Sequence, residues 1–586
     1  MNLRKTLLVL IILLAFILRF YQLGINPPGL YWDEAVFGYD AYSILKTGKD
    51  HHGVTLPLFF ESFGDWKLPG YHYLLVPSIA IFGLNEFAVR FPSAFFGFLT
   101  VPLIYLLTKK LFEKSNVSGH PFDESSTVRS STLRLGLEEL RPKGLRVEEM
   151  TLSPPKGQWS VVKSEPIALL SAFFLAISPW HIQFSRGGFE STTGLFFLTF
   201  GLYLFLKGIE RKQVITLTLA FLLFTLSMYF YHAYRIFTPL FVIVLLLIHF
   251  KAVKKIVTKF VLPVLLALTL ALPIIIFTFS PEGQSRASSQ SAFSQDTYES
   301  ARIFYDQNSK PPLRFLSKYW SFSLYNVYLA FNNYIDHFSP VFLFYKGDQI
   351  GRHSQVDMGQ IYLFDGILLV CSIFALKKLS GKSLKIMLSW LILAPIPAMI
   401  VNPTPHAYRT LQMSVPLAFF SALGAYWIFS NKKLLIIKVL LTFVIFYTFL
   451  TYLHLLFVHY PKKFAADWQD GYREMVTQVQ KYQNHFDKVY ITNINQVPYI
   501  YLLFYGKYDP EKFINSGGNR DYFDKYVFIP DDVNIYDQIL TADRRQVRIL
   551  YVAPSWEKVD GKWLAAANDS TGRHIYSLWD LNETFK

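Results

Sequence analysis

The chain has 586 residues, 52% hydrophobic and 17% charged, an apolar excess that excludes an ordinary soluble enzyme and marks a polytopic membrane protein. Its single cysteine, Cys371, excludes an internal disulfide and a cysteine metal cluster. The net charge of +15 does not mark a nucleic-acid binder, because the lysines and arginines fall in short tracts between apolar runs and so report topology.

The first run, LLVLIILLAFILRF after MNLRK, lacks a small-residue cleavage site and continues into RFYQLG, so it reads as a retained anchor. A spanning helix needs about 20 mostly apolar residues. Eleven runs are candidates, beginning near residues 5, 88, 165, 190, 213, 234, 258, 361, 384, 410 and 433. Basic tracts at 4–5, 109–110, 207–212, 251–259, 377–385 and 431–433 all fall on one side, which the positive-inside rule assigns to the cytoplasm. The N-terminus is then cytoplasmic, and residues 23–87, 281–360 and 459–586 are outside.

The first outer segment contains YWDEAVFGYD at 31–40, then KLPGYHYLLVPSIAIFG, which is too short to span and is expected to lie along the interface as an amphipathic helix. Residues 113–163 form an inner insertion in which LRLGLEEL is loosely echoed by LRVEEM, and no chemistry is assigned to it. The second outer segment holds the polar PEGQSRASSQSAFSQDTYES and then YKGDQIGRHSQVDMGQIY, whose glycines and polar residues suit a structured loop. Beyond residue 459 the pattern changes. GYREMVTQVQKYQNHF has helical periodicity, and KVYITNI, RILYVAP and HIYSLWDL read as strands. The expected architecture is a helical membrane domain over 1–458 and a small extracytoplasmic α/β domain over 459–586, in the plasma (inner) membrane.

Asp33 and Glu34 are the first candidates for chemistry. A carboxylate near a bilayer is costly to desolvate, so it pairs with a cation or serves in a site, although a solvated loop acid is the plainer reading. On a helix, neighbours point about 100° apart, so both acids cannot face one small group, whereas Asp33 and Asp40 share a face. One acid of the pair is expected to react and the other to orient or pair. Seven cations fall on the predicted outer side: Arg19, Lys67, Arg90, Arg186, Arg235, Arg352 and Arg409. Singly each reads as a snorkelling anchor; together they run against the inward bias and suit an anionic group such as phosphate. His181, His232, His337, His353 and His406 also fall at outer ends, but none shows the i, i+4 spacing with Glu of a zinc helix, so no metal site is expected. Neither GxxxxGK[ST] nor GxGxxG occurs, which leaves a nucleotide-driven mechanism unsupported.

The segments RFYQLG, YWDEAVFGYDAYSIL and DWKLPGYHYLLVPSIAIFGLNEFAVRFPSAFFG resemble the GT-C superfamily of membrane glycosyltransferases. SPWHIQFSRGGFES, YHAYRIFTP and PHAYRTLQMSVPLA extend the likeness, which is to the group containing protein O-mannosyltransferases and the lipid A aminoarabinose transferase. The resemblance implies a polyprenyl-phosphate sugar donor taken from the bilayer. It implies inverting, direct displacement by a hydroxyl of a lipid, glycan or protein acceptor on the outer face. It makes Asp33 the base with Glu34 beside it, matches Lys67 in KLPGY to the family's KPPLY lysine, and matches Arg186 and Glu190 to an arginine and acid where many members have Asp. Lys67, Arg235, Arg352 and Arg409 are expected to stabilise the departing phosphate, with His353 among the substrate-binding residues. No cofactor is required by so good a leaving group, and a divalent metal is left open. A transporter or glycolipid flippase would place ionisable groups at the midplane in repeated halves, which the sequence does not show. A non-catalytic scaffold with a glycan-binding C-terminal domain is the third reading.

Overall fold

A computed structural model describes residues 3–112, 164–284, 291–292, 314–493, 497–530 and 547–581. The predicted insertion at 113–163 and most of PEGQSRASSQSAFSQDTYES lie outside the described residues. A helix opens within a few residues of every predicted span start: α1 (Leu3–Phe20), then, after α2 (Trp32–Thr47), the hairpin β1 (Phe60–Ser62) and β2 (Asp65–Lys67) and α3 (Pro69–Phe82), α4 (Glu86–Phe112). There follow α5 (Ser164–Ile177), α6 (Pro179–Arg186), α7 (Glu190–Arg211), α8 (Val214–Met228), α9 (His232–Ile248), α10 (Phe250–Lys255) and α11 (Thr258–Thr278). Helices at Leu363–Ala375, Gly381–Leu393, Ser414–Ser430 and Leu435–His454 complete the set.

Eleven spans were expected. Among the described residues, five helices are long and apolar enough to cross a membrane, or six if α5 and α6, which meet at 54°, form one broken span. Val214–Met228, His232–Ile248 and Leu363–Ala375 are shorter apolar helices. α4 lies among α3, α5 and α7, α7 packs on α8, and Ser414–Ser430 packs on both α5 and Leu363–Ala375. The lipid-like surface is real: Val261, Leu265, Leu268 and Ile276 of α11, and Ile436, Leu440, Phe443 and Tyr447 of the last long helix, are all exposed.

α3 differs from its expectation. Its polar His72 and Ser78 point inward while Ile81 and Phe82 are exposed, so it is apolar on its outer side and not amphipathic. The buried histidine has a partner that the helical pattern could not show, because it lies on α2.

The C-terminal region is a six-stranded mixed sheet ordered β4-β5-β3-β6-β8-β7, built from β3 (Lys488–Thr492), β4 (Tyr522–Phe523), β5 (Tyr526–Ile529), β6 (Ile549–Pro554), β7 (Lys562–Asn568) and β8 (His574–Asp580). β3 is parallel to β5 and β6, and the remaining pairs are antiparallel. The predicted helix forms at Tyr472–Tyr482 and lays Met475, Val476 and Val479 inward. This unit shares a core with α2: Val36, Phe37 and Tyr39 join Tyr501, Phe504 and Met475 in one buried cluster. Contact is so close that a Cβ on Gly38 would lie 2.5 Å from the Phe504 ring. The Tyr39 hydroxyl donates to the Tyr508 carbonyl at 3.0 Å, and the Tyr501 hydroxyl to that of Leu30 at 3.0 Å. The C-terminal unit therefore holds the helix that carries the candidate acids.

Candidate active site

α2 begins without a side-chain cap from Tyr31. Gln469 supplies one from a distance, accepting the Trp32 N–H on its side-chain oxygen at 2.8 Å. Asp33 and Glu34 occupy the first turn, where unsatisfied backbone N–H groups favour negative charge. The approach to this turn is fixed by Gly29, whose φ of +58° and near contact with the backbone of Trp468 and Asp470 leave no room for a side chain.

The two acids have different surroundings. Glu34 is sealed: its oxygens accept from Arg90 Nε at 3.0 Å and Nη2 at 3.2 Å, and from the Gly188 N–H at 2.6 Å, and the side chain is 0% exposed. Arg90 spends its other donors on the carbonyls of Leu23, Pro27 and Gly29, and its guanidinium lies 5.4 Å from the Trp468 ring centre. Gly188 must stay small, because a Cβ there would sit 3.1 Å from a Glu34 oxygen. A bidentate pair of this kind, with a third donor in place and the side chain fully buried, orients the backbone.

Asp33 remains 20% exposed at its side chain and meets one cation, Lys67 Nζ, at 3.1 Å. Lys67 closes the β1–β2 hairpin, whose turn takes Phe63 at φ 55° and Gly64 at φ 80°, the left-handed pair a tight hairpin requires. The register pairs Phe60 with Lys67 and Ser62 with Asp65. Residues 65 and 67 share one face of the strand. Asp65 consequently reaches Lys67 Nζ at 3.1 Å as well. An ammonium has three donors, so among the described residues one remains after both carboxylates are served.

The other predicted residues are placed at varying distance from this cluster. Glu190, first in α7, is within electrostatic reach of Lys67 and Asp33 and sits beside Tyr408. Arg352 lies 5.0 Å from both the Tyr31 and Trp32 ring centres, directly over the start of α2, and its guanidinium makes one hydrogen bond among the described residues, from Nη1 to the Asp467 carbonyl at 2.6 Å. His353 stands 5.4 Å from Tyr408, which stacks on Phe184 and approaches Tyr231 at 4.2 Å. Arg235 donates to Thr278 at 3.1 Å and contacts His232; the neighbouring Phe277 stacks on Phe59 and meets Trp66 of β2, which puts Arg235 along the wall beside the hairpin. Arg409 donates to the carbonyls of Val401, Asn402 and Pro403 at 3.2–3.4 Å.

Arg186 is placed differently from the expectation. It is buried, donates to the carbonyls of Leu18, Tyr21 and Asn26 at 2.7–2.9 Å, and lies over Phe457 at 5.1 Å. Those contacts tie the end of α1 to α6 instead of presenting a donor at Asp33. Arg19 is similar, with bonds to the carbonyls of Ala15, Leu175 and Ala176 and to His181. Asp65, Gly188 and Tyr408 were not singled out in the sequence. Asp65 could have been found, since D-x-K on a strand puts both side chains on one face.

A second acid–histidine group lies behind Lys67. Asp40 accepts from His51 Nδ1 at 2.5 Å and lies 3.6 Å from His72 Nε2. Burial raises the Asp40 carboxyl, but His51 outweighs it and holds the group below its ordinary range. Burial lowers His72 to about 4, leaving it neutral beside Lys67. Asp33 and Asp40 do share a face of α2, and their partners Lys67 and His72 flank the same turn into α3.

Residues 9–118 match the family model of dolichyl-phosphate-mannose-protein mannosyltransferases. No curated protein matches the chain. Crystal structures of ArnT from Cupriavidus metallidurans are similar in fold: the apo form at TM-score 0.51 over 98% of both chains, and the form bound to undecaprenyl phosphate at TM-score 0.52 over 97% of both, each at 10% identity. The oligosaccharyltransferase AglB from Archaeoglobus fulgidus, in complex with an inhibitory peptide and a dolichol-phosphate, gives TM-score 0.46 at 14% identity, covering 98% of this chain and 74% of that one. The likeness to ArnT shows that the two chains share a fold.

Proposed function

We propose that this chain, with its GT-C fold, is an inverting glycosyltransferase that moves a sugar from a polyprenyl-phosphate donor to an acceptor hydroxyl at the outer face of the membrane. The observation that carries the proposal is the contrast between the two adjacent acids: Glu34 is sealed on Arg90, and Asp33 is partly open beside Lys67. A fold shared with a protein crystallised with undecaprenyl phosphate, and a family match to dolichyl-phosphate-mannose-dependent enzymes, support the donor class.

In the proposed reaction an Asp33 oxygen takes the proton of the acceptor hydroxyl as that oxygen forms a bond to the anomeric carbon. The bond from that carbon to the phosphate oxygen breaks on the opposite face, and polyprenyl phosphate leaves with the electron pair. General-base assistance of this kind contributes about 100- to 10,000-fold. Lys67 holds Asp33 in position, and its third donor, with Arg352, meets the phosphate oxygen as charge develops. Arg235 and Arg409 are the remaining cations that this reading assigns to the phosphate. Glu190, beside Tyr408, lines the sugar side, and Tyr31 and Tyr408 offer faces on which a sugar ring can rest. The proton leaves Asp33 to water once product departs. With a phosphate leaving group already stabilised by cations, the displacement itself calls for no metal.

On this reading the eleven predicted runs all cross or enter the bilayer, the N-terminus is cytoplasmic, and the C-terminal sheet domain sits outside, bracing α2. The test is release of labelled polyprenyl phosphate from a defined polyprenyl-phosphate sugar by the purified full chain. Release accompanied by glycosylated acceptor is the expected result. Movement of intact donor between leaflets without cleavage would identify a flippase, and absence of both cleavage and movement would identify a scaffold.

A further inference from the structure

We propose that Asp348, His353 and His406 form a zinc site that clasps the loop carrying Arg352 to the loop carrying Arg409. The three residues are buried, and one ligand atom from each lies within 4.8 Å of the others. Both imidazoles approach Asp348 Oδ2 through Nδ1, His353 at 3.4 Å and His406 at 3.7 Å. Hydrogen-bonded N and O atoms stand about 2.7–3.2 Å apart. Ligands bound tetrahedrally at about 2.0–2.1 Å from zinc stand about 3.3–3.4 Å from one another. The observed separations suit a shared ion better than a direct contact. The same chain provides the contrast: His51 Nδ1 and Asp40, a true histidine–carboxylate hydrogen bond, are 2.5 Å apart.

The ligands are held from outside the site. Asp348 Oδ1 accepts from the Ile350 N–H at 2.9 Å, and Oδ2 from the Ala407 N–H at 2.6 Å, which fixes the carboxylate plane and joins the two loops. The His353 carbonyl accepts from Gln360 Nε2 at 3.1 Å. The His406 N–H donates to His337 Nε2 at 3.0 Å, and the His406 carbonyl accepts from Thr410 Oγ1 at 2.8 Å. Outer partners of this sort orient metal ligands. Two imidazoles with one carboxylate suit zinc, whereas magnesium and calcium favour all-oxygen sets. Three protein ligands leave the fourth position to water. The sequence hid the site because the residues come from loops more than 50 positions apart and show no ligand spacing.

Metal binding is independent of the transfer reaction; only its link to Arg352 and Arg409 rests on the proposed function. The experiment is inductively coupled plasma mass spectrometry on the full chain, purified in detergent with its affinity tag removed. The expected result is about one zinc per chain, falling at least tenfold in H353A and H406A. Because those variants could misfold, the wild-type protein is also stripped with chelator and titrated with Co²⁺. One equivalent should produce the visible absorption of a tetrahedral nitrogen–oxygen site, displaced by Zn²⁺. Less than a tenth of an equivalent of zinc together with no cobalt spectrum would overturn the site, and so would full zinc content in the double variant H353A/H406A.

Discussion

Two clusters of the same residue types lie side by side at the start of α2, and they are built for different ends. In the Glu34–Arg90–Gly188 cluster every charged group is enclosed, all five Arg90 donors have fixed partners, and Glu34 accepts three hydrogen bonds. In the Asp33–Lys67–Asp65 cluster two carboxylates share one ammonium, and Asp33 keeps a surface. The difference teaches that burial of a charged pair identifies structure when the pair is saturated, and a reactive group when valence is left over. Arg186, buried with three carbonyls on its guanidinium, belongs with the first kind, and Arg352, over the Tyr31 and Trp32 rings with one carbonyl partner among the described residues, with the second.

The largest effect that sharpens this contrast is on Lys67. Replacing it by Met removes the cation from the open cluster at similar length. Turnover should fall about 100- to 1,000-fold, the usual cost of losing one stabilising donor at developing charge. Steady-state release of labelled polyprenyl phosphate measures it, and a loss below fivefold would place Lys67 with the structural residues. Glu34→Gln probes the sealed cluster. Arg90 would be left as a buried charge with no anionic partner, so stability should drop by an amount at the lower end of about 3–5 kcal/mol. Thermal unfolding in detergent reads it, and an unchanged melting temperature would break the comparison.

How much of this was legible beforehand follows the same division. The helices were readable because span length and apolar runs are local properties, and each predicted start opens a helix. The three predicted strands and the Tyr472–Tyr482 helix were readable from periodicity. Asp33, Lys67, Glu190 and Arg352 could be named as candidates, but their convergence could not, since it depends on a hairpin register and on loops far apart in sequence. Arg186 looked like its neighbours because sequence does not display carbonyls. α3 was expected to be amphipathic because its apolar stretch is too short to span, whereas in the fold its polar residues face inward: His72 points at Asp40 and Ser78 donates to the Ala88 carbonyl at 2.6 Å.

Smaller effects probe the edges of each cluster. Gly188→Ala should press a methyl against Glu34 and cost about 1–3 kcal/mol by overpacking, seen as a lowered melting temperature. At the rim, His52 Nε2 meets Glu61 at 2.6 Å. Burial lowers His52, but the hydrogen bond to Glu61 outweighs it and leaves the imidazole raised above its ordinary value. A raised histidine stabilises fully below its unfolded value and loses that contribution as pH rises through the folded one. Stability that declines slightly as pH rises above about 6.5 is therefore expected, by less than about 1 kcal/mol for a pair about a quarter exposed, read as a lowered melting temperature and reduced in Glu61→Gln.

The central claim is that Asp33, and not its neighbour, takes the proton. It is tested most directly by single-turnover release of polyprenyl phosphate from Asp33→Asn, alongside its melting temperature and its retention of donor. The account predicts at least about a 100-fold slower release with folding and donor binding intact. Release at the wild-type rate would contradict it.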